Sequence, residues 1–401
     1  MKKVLVMPGA AAQIPLLKKI KAMGLESYSV NPYPDSPGFA YSTGHLQSDI
    51  FDFKKCLEYA EQLKVDAVVS DQCDIASGPV AKLAKTLELP GNQESVIALF
   101  RDKSAMRRYS RENNFNCPEF RNCHTLSEAL DFFHELAHKM IIKPLDSNSS
   151  RGVFTITCDK DLEEHFAETQ EWSISDKAVL CERFIEGTEF TIDGIKIPGH
   201  PHRCLAISEK RHFAHNRNIA SMLYFSHENA HYDYEELRRL NDSYVDNSGL
   251  EFGLTHAEYK CEDGKFFLIE IGARGGGNYI SSHIVPCMSG IDNMGILIRM
   301  ALGEKIDPAE VKIHDELQKR CAVLEFFDFA PGRVKSIMGE DILKNDPRVL
   351  DYHFNFSAGD TIQRPADDSK RAGYYIAYDI NRQALDNFRK EIAQKVSLVY
   401  F

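Results

Sequence analysis

The segment from residue 258 to residue 278 reads Glu258-Tyr-Lys-Cys-Glu-Asp-Gly-Lys-Phe-Phe-Leu-Ile-Glu270-Ile-Gly-Ala-Arg274-Gly-Gly-Gly-Asn278 and carries the densest chemistry in the chain. Its central Asp263-Gly264 pair lies between two apolar or aromatic runs, a pattern that predicts a β-hairpin. Glu258 and Glu270 fall on opposite arms, where their side chains can meet across the strands. These carboxylates, with Arg274 and the glycines that follow, suit Mg²⁺ and phosphate. Alone, the segment is equally consistent with a hairpin that carries solvated glutamates.

The composition is that of a globular enzyme. The chain has 401 residues, of which 43% are hydrophobic and 27% charged, and this length suggests two or three domains. A net charge of −11 opposes a nucleic-acid partner. We expect no membrane partner, since no run approaches the roughly 20 apolar residues of a spanning helix, and the first apolar run is too short for a signal peptide. The ten cysteines are scattered without a C-x-x-C pair. Reduced cysteines and a cytoplasmic location are therefore expected.

The first hundred residues alternate short apolar runs with stretches of helical period. Runs at 3–7, 25–30 and 67–70 predict strands of a parallel sheet with helices on its faces. Loops at 8–13 and 71–74 follow two of these strands, and such loops usually face a ligand. A dinucleotide site is not supported, because no G-x-G-x-x-G follows the first strand. A helix is predicted over 94–114, with Arg101-Asp102-Lys103 inside it.

Several polar residues in the middle of the chain invite a functional interpretation. Lys143 ends an apolar strand and precedes a serine-rich loop whose backbone N–H groups suit phosphate; the alternative is an edge-strand lysine that points to water. Glu182 and Glu189 bracket a turn where a strand end could hold adenine and ribose, or where both could simply be solvated. Residues 208–221, which include Arg211, are predicted to form a polar loop, and a solvated basic loop is the alternative.

Six stretches, in order, resemble the ATP-grasp superfamily of ADP-forming carboxylate–amine ligases, and the resemblance runs from Lys3 to about Gly303. Each stretch alone is weak evidence, but six in the right order at domain-scale spacing are specific. The Glu-Ile-Gly-Ala-Arg pattern with its following glycines is similar to the L-amino-acid-ligase branch. The stretches are residues 7–13, 101–103, 142–144 with 149–153, 181–189, 256–258 and 270–274.

The resemblance implies a role for each matching position. Lys103 and Lys143 correspond to phosphate-binding lysines, and Arg274 to the residue that steadies the acyl-phosphate. Glu258 and Glu270 correspond to ligands of Mg²⁺, with Mn²⁺ as an alternative ion. The nucleotide-binding positions are a flap at 146–152 with Ser149, Ser150 and Gly152, an adenine segment of Glu182, Arg183, Phe184 and Ile185, and Glu189 for ribose.

One position departs from the family pattern. Many relatives carry an asparagine two residues after the second metal glutamate, whereas this chain has Gly272. Either Asn278 serves as the third ligand, or water and phosphate oxygens complete the shell. Arg211 is a further candidate for contact with the acid or amine substrate.

The implied fold is α/β and α+β, with three parts. An N-terminal Rossmann-like parallel-sheet domain spans 1–100, and a small β-rich C-terminal cap spans 311–401. The ATP-grasp domain at 101–310 comprises a linker helix (101–120), a small nucleotide-binding lobe (121–190) and a lobe for magnesium and substrate (191–310).

The implied activity is ATP-dependent amide or peptide bond formation through an acyl-phosphate, with an amino acid as one substrate. ATP and small acid and amine substrates are the expected partners, and a homodimer is expected from the fold only. The alternatives are a bicarbonate-using carboxylase or carbamoyl-phosphate-type enzyme, and a ligase for an amino sugar or specialised metabolite. Two further alternatives are a non-catalytic nucleotide-binding module and a phosphotransferase that stops at the acyl-phosphate.

Overall fold

The computed structural model describes residues 1–146, 151–173 and 176–401. Its N-terminal domain is built on a four-stranded parallel sheet, as the alternation of strands and helices predicted. The strand order is β3-β2-β1-β4, so the carboxyl ends of all four strands meet at one edge. The elements are Lys3–Val6 (β1), Ile14–Ala22 (α1), Glu26–Asn31 (β2), Gly44–Gln47 (β3), Phe53–Leu63 (α2), Ala67–Val69 (β4) and Asp74–Thr86 (α3).

The predicted helix over 94–114 is wrong, because the structure divides it into Glu94–Leu99 (α4) and Lys103–Glu112 (α5). Asp102 caps the second helix, since its side chain accepts a hydrogen bond from the Ala105 backbone N–H at 2.8 Å. Lys103 is therefore the first residue of a helix rather than an interior one. The break turns its side chain into the protein, where it is buried.

The small lobe is a four-stranded antiparallel sheet in the order β5-β8-β6-β7. Two helices pack on it through an apolar core that includes Phe132, Ile142 and Phe166. Lys143 lies on a central strand of this sheet, so it is not an edge-strand lysine. The elements are Phe120–Cys123 (β5), Leu126–Leu136 (α6), Met140–Pro144 (β6), Phe154–Ile156 (β7), Asp159–Glu171 (α7) and Val179–Arg183 (β8).

The large lobe and the C-terminal region share one eight-stranded sheet, in the order β13-β12-β9-β10-β11-β14-β18-β16. The large-lobe elements are Thr188–Lys196 (β9), Arg203–Phe213 (β10), Asn216–Phe225 (β11), Tyr234–Asn247 (α8), Gly253–Glu262 (β12), Lys265–Gly272 (β13), Val285–Ser289 (α9) and Asn293–Ala301 (α10). The C-terminal elements are Cys321–Phe326 (β14), Gly332–Met338 (β15), Glu340–Asn345 (α11), Val349–Phe354 (β16), Thr361–Ile362 (β17), Gly373–Asp379 (β18), Arg382–Lys395 (α12) and Ser397–Tyr400 (β19).

The predicted polar loop at 208–221 is wrong, because most of it belongs to the antiparallel hairpin of β10 and β11. Alternation between polar and apolar side chains, typical of a half-buried strand, had been obscured by the density of charged residues. A separate three-stranded sheet, β17-β15-β19, includes the last strand of the chain.

One apolar core joins the N-terminal domain to the large lobe. Leu17 and Ile20 of α1 and Val69 of β4 belong to the same buried cluster as Ile298 of α10. The loop after β4 is thereby held against the segment that follows β13. Within the described ranges, we find no helix with the length and apolar character needed to cross a bilayer.

Candidate active site

A cleft of about 790 Å³ lies between the small-lobe sheet and the large-lobe sheet. Strands β6 and β8 supply one wall, and β9, β10, β12 and β13 supply the other. Most of the predicted nucleotide and metal positions line this cleft. They are Lys103, Lys143, Gly152, Glu182, Arg183, Phe184, Ile185, Glu189, Glu258 and Glu270.

The hairpin predicted from Asp263-Gly264 is confirmed. Both turn residues have positive φ, +50° and +75°, as the tight turns that connect paired strands require. The register places Glu258 of β12 directly opposite Glu270 of β13, with a bulge immediately after Glu258. Their side chains are about one third exposed and open into the cleft.

A lysine neutralises each of these carboxylates. Lys103 Nζ lies 3.2 Å from Glu270 Oε2, and Lys210 Nζ lies 3.4 Å from Glu258 Oε1. The two carboxylates and their cationic neighbours are a donor set that fits a divalent cation beside phosphate groups. No group of three or more histidine, cysteine or carboxylate side chains in the described ranges could hold a metal by itself. Water and phosphate oxygens would therefore have to complete the coordination shell.

Lys143 belongs to a buried ion triad rather than pointing freely into the cleft. Its Nζ donates to Glu182 Oε2 at 2.7 Å, and Arg107 Nε donates to the other oxygen of the same carboxylate. Burial raises the pKa of Glu182, but the charges of Arg107 and Lys143 outweigh it and lower that pKa to about 2. Burial lowers the pKa of Lys143, and the neighbouring Arg107 acts in the same direction. The triad fixes Lys143 at the wall of the cleft.

Sequence reasoning missed Lys210 as an individual site residue. Glu189 accepts a hydrogen bond from Lys210 Nζ, and His212 Nε2 lies 3.5 Å from its other oxygen. Burial opposes ionisation of Glu189, yet the Lys210 charge and the His212 hydrogen bond hold its pKa well below the usual range. Lys210 thus links the predicted ribose carboxylate to the predicted metal ligand Glu258.

The structure does not place Arg211 among the residues that line the cleft. Successive residues of a strand point to opposite faces, and Arg211 lies between two residues, Lys210 and His212, that line the cleft. Its side chain is 52% exposed and lies 3.4 Å from Glu209, away from the cleft. Period-2 alternation along Arg203–Phe213 was the signal that could have identified Lys210 instead.

The predicted adenine segment follows β8. Arg183 pairs with Glu119 at 3.0 Å and with Glu262 at 2.8 Å, so its charge is already compensated. Lys260 Nζ lies 4.5 Å from the centre of the Phe184 ring and donates to the Ile185 carbonyl at 3.2 Å. This places an aromatic face and a strand-end backbone at the cleft, whereas the Glu182 carboxylate is engaged by the triad.

The predicted flap is described only in part. Gly152 has φ +67°, and a Cβ there would lie 2.7 Å from the Trp172 ring, so the position requires glycine. Ser149 and Ser150 lie outside the described residues. Their role toward phosphate stays a prediction.

Arg274 does not line the large cleft. Its guanidinium is partly buried and pairs side-on with Asp74, from Nε to Oδ1 and from Nη2 to Oδ2, both at 2.8 Å. It borders instead a small cavity of about 60 Å³ between α3 and the large lobe. Asn278 is exposed with φ +50° and is not among the residues that line the cleft. The structure therefore does not bring Asn278 to the two glutamates as a third ligand.

The loop after β4, residues 71–74, contacts the glycine segment that follows β13. That this loop faces a ligand stays a prediction. Asp71 Oδ1 accepts from the Gly275 backbone N–H at 2.9 Å, and Gln72 Oε1 accepts from the Tyr279 backbone N–H at 3.0 Å. These contacts join residues about 200 positions apart. No local sequence signal identifies such partners.

Two family models match the chain. The model of the ATP-grasp domain matches residues 136–282, which supply both walls of the cleft. The chain contains an ATP-grasp domain. Beyond this ATP-grasp domain, residues 325–400 match L-amino acid ligase C-terminal domain 2. The predicted resemblance to the superfamily and to its amino-acid-ligase branch is thereby confirmed.

Curated relatives of the chain include a synthase and a ligase. Dapdiamide A synthase from Enterobacter agglomerans is 25% identical over 260 residues, which cover 63% of this chain and 60% of the relative. A D-alanine–D-alanine ligase from Acidovorax ebreus is 32% identical over 102 residues, covering 25% and 29% of the two chains. The chain therefore spans less than two thirds of the length of these relatives.

Solved structures match over the whole chain. The L-amino acid ligase from Bacillus licheniformis gives a TM-score of 0.82 at 22% identity and covers 100% of this chain and 99% of its own. The phosphoribosylglycinamide synthetase from Anaerococcus prevotii gives a TM-score of 0.76 at 16% identity, with 100% of both chains covered. These similarities confirm the predicted ATP-grasp fold.

Proposed function

We propose that this protein is an ADP-forming carboxylate–amine ligase that joins an amino acid to a second small substrate through an acyl-phosphate. The arrangement that carries the proposal is the cleft itself, where Glu258 and Glu270 face the lysines at 103, 143 and 210. Three cations and two carboxylates that line one cleft match the needs of phosphoryl transfer, which depends on positioning and charge neutralisation. The similarity to a dapdiamide A synthase, a D-alanine–D-alanine ligase and an L-amino acid ligase supports it.

The proposed reaction has two steps. An oxygen of the substrate carboxylate bonds to the γ-phosphorus of ATP while the bond to the β-phosphate oxygen breaks, which releases ADP. The amine nitrogen then bonds to the acyl carbon, the bond to phosphate breaks, and the amine loses a proton. Lys103 and Lys143 lie where they can offset charge on the transferred phosphoryl group. Arg274, which follows the strand that carries Glu270, is assigned to the substrate.

Mg²⁺, when bound, would supply a Lewis acid that draws charge from the phosphate oxygens. Glu258 and Glu270 would hold it, since they are the paired, partly exposed carboxylates of the cleft. Lys103 and Lys210 balance the charge of these carboxylates. Mn²⁺ offers the same oxygen-ligand chemistry as an alternative.

The test is release of ADP and phosphate with Mg²⁺ and ATP across single and paired amino acids. Turnover that requires two amino acids, with a dipeptide detected by mass spectrometry, is the expected result. Glu270→Gln, which keeps the shape of the side chain, serves as the inactive control. ADP release without any need for an amine would favour a phosphotransferase, and release with bicarbonate alone would favour a carboxylase.

A further inference from the structure

The loop Asp71–Asp74 of the N-terminal domain holds the segment Arg274–Tyr279 at three points, and one of them is the guanidinium itself. Asp71 and Gln72 bind backbone N–H groups of the segment at 2.9 and 3.0 Å. Asp74, the first residue of α3, receives both Nε and Nη2 of Arg274 at 2.8 Å. A side-on, two-point pair of this kind fixes orientation as well as charge.

The pairing leaves donors free for a substrate. A guanidinium has five N–H groups, and Arg274 spends two on Asp74 and one of Nη1 on the Gly275 carbonyl at 3.1 Å. One N–H therefore remains on each terminal nitrogen. Burial opposes ionisation of Asp74, but the Arg274 charge and hydrogen bonds keep its pKa below the ordinary value, so the pair is ionised.

Gly272 provides independent support, because the backbone leaves room for the Asp74 carboxylate. A Cβ at this position would lie 2.5 Å from Asp74 Oδ1 and 3.3 Å from Arg274 Nε. The backbone of Gly272 is ordinary strand without positive φ. The absence of a side chain therefore serves the ion pair rather than the conformation of β13.

We propose that Asp74 is a positioning residue for the ligase reaction, which orients the Arg274 guanidinium from the N-terminal domain so that its two remaining N–H groups meet the substrate carboxylate and acyl-phosphate. This inference rests on the proposed function. It makes the N-terminal domain part of the catalytic apparatus and not only a support for it. It also assigns to Gly272 the role of keeping the space that Asp74 occupies.

A double-mutant cycle tests the inference with wild type, Asp74→Ala, Arg274→Ala and the double variant. A misplacement of about 1 Å can cost about 10²-fold in rate, so Asp74→Ala should lower kcat by about that factor. The KM for ATP should stay within about twofold, because the nucleotide cleft lies elsewhere. The double variant should be no slower than Arg274→Ala, since Asp74 acts through Arg274.

Two further variants separate positioning from stability. Asp74→Asn keeps the side-chain shape, whereas Gly272→Ala keeps both charged side chains but displaces the Asp74 carboxylate. Each should reduce kcat while binding of a non-hydrolysable ATP analogue is retained. Lys19→Ala is the matched control, because Lys19 also bridges the N-terminal domain to the large lobe, with Asp292 at 3.0 Å. Its turnover should stay within about twofold of wild type.

The outcomes distinguish this inference from the proposed function. The positioning role alone would be overturned if wild type turned over and the kcat of Asp74→Ala were unchanged. It would also be overturned if the losses in kcat of the two single variants multiplied in the double variant. A rise in the KM for ATP equal to the loss in rate would also overturn it. A wild-type protein silent with every substrate pair would overturn the proposed function and this inference together.

Discussion

Replacement of Asp71 by asparagine should change how the stability of this protein depends on pH. Asp71 is completely buried, and its Oδ2 has no hydrogen-bond partner among the described residues. Burial raises the pKa of this carboxyl from 3.8 to about 6, against the hydrogen bonds from Ser281 and the Gly275 backbone that favour the ionised form. Asparagine keeps an oxygen for Gly275 and carries no charge at any pH.

The magnitude follows from the shift in pKa. Because the folded protein binds this proton more tightly than the unfolded chain does, the contribution to stability is fully present below pH 3.8 and is lost as the pH rises through about 6. With these two values, linkage gives a loss of about 1 kcal/mol for wild type between pH 5 and pH 8. The Asp71→Asn variant should gain that amount on wild type over the same interval.

Urea unfolding at pH 5 and pH 8 measures this difference, with wild type and variant compared at each pH so that other titrating groups cancel. Asp35→Asn, which removes an exposed carboxylate from the same domain, is the matched control. The reasoning would be refuted if the free energies of unfolding of Asp71→Asn and wild type differed by the same amount at both pH values. It would mean that Asp71 stays ionised across this range and that its burial is compensated.

Three other substitutions test the cleft. The Glu258→Gln variant should fold normally, because the Glu258 side chain is partly exposed, and its kcat should fall by about 10²–10³-fold. ADP release measures kcat. A near-native rate would remove Glu258 from the mechanism. Lys210→Ala should lower kcat/KM for ATP by about 10- to 100-fold, which corresponds to the loss of a hydrogen bond between charged groups. Arg211→Ala, on the opposite face of β10, should keep kcat/KM within about twofold of wild type. Equal effects of the two substitutions would contradict the assignment of the two side chains to opposite faces. Glu182→Gln leaves Lys143 and Arg107 buried without their counter-charge and should lower the free energy of unfolding by about 3–5 kcal/mol. Urea unfolding checks that value against Glu186→Gln at an exposed ion pair, and similar losses in both variants would argue against the triad.

Local patterns predicted the parts of the fold that depend on neighbours in sequence. The Asp263-Gly264 turn predicted the hairpin and put Glu258 and Glu270 on its two arms, but the register that the turn sets would pair Glu258 with Ile269. The bulge after Glu258 brings Glu270 opposite it. The alternation of strands and helices in the first hundred residues predicted the parallel sheet. Dense charge hid two local features, the cap at Asp102 that divides α4 from α5 and the strand that carries Lys210.

The sequence by itself determined the glutamate hairpin and predicted most of the charged residues that line the cleft, because each is encoded by a turn, a period or a motif a few residues long. Only the tertiary structure decided the partners of the charged groups: Lys143 with Glu182 and Arg107, and Arg274 with Asp74. These side chains lie up to 200 residues apart in the chain. Their pairing follows from which strand ends meet when three sheets pack together, and the energy of a buried charge depends on the neighbours it then acquires.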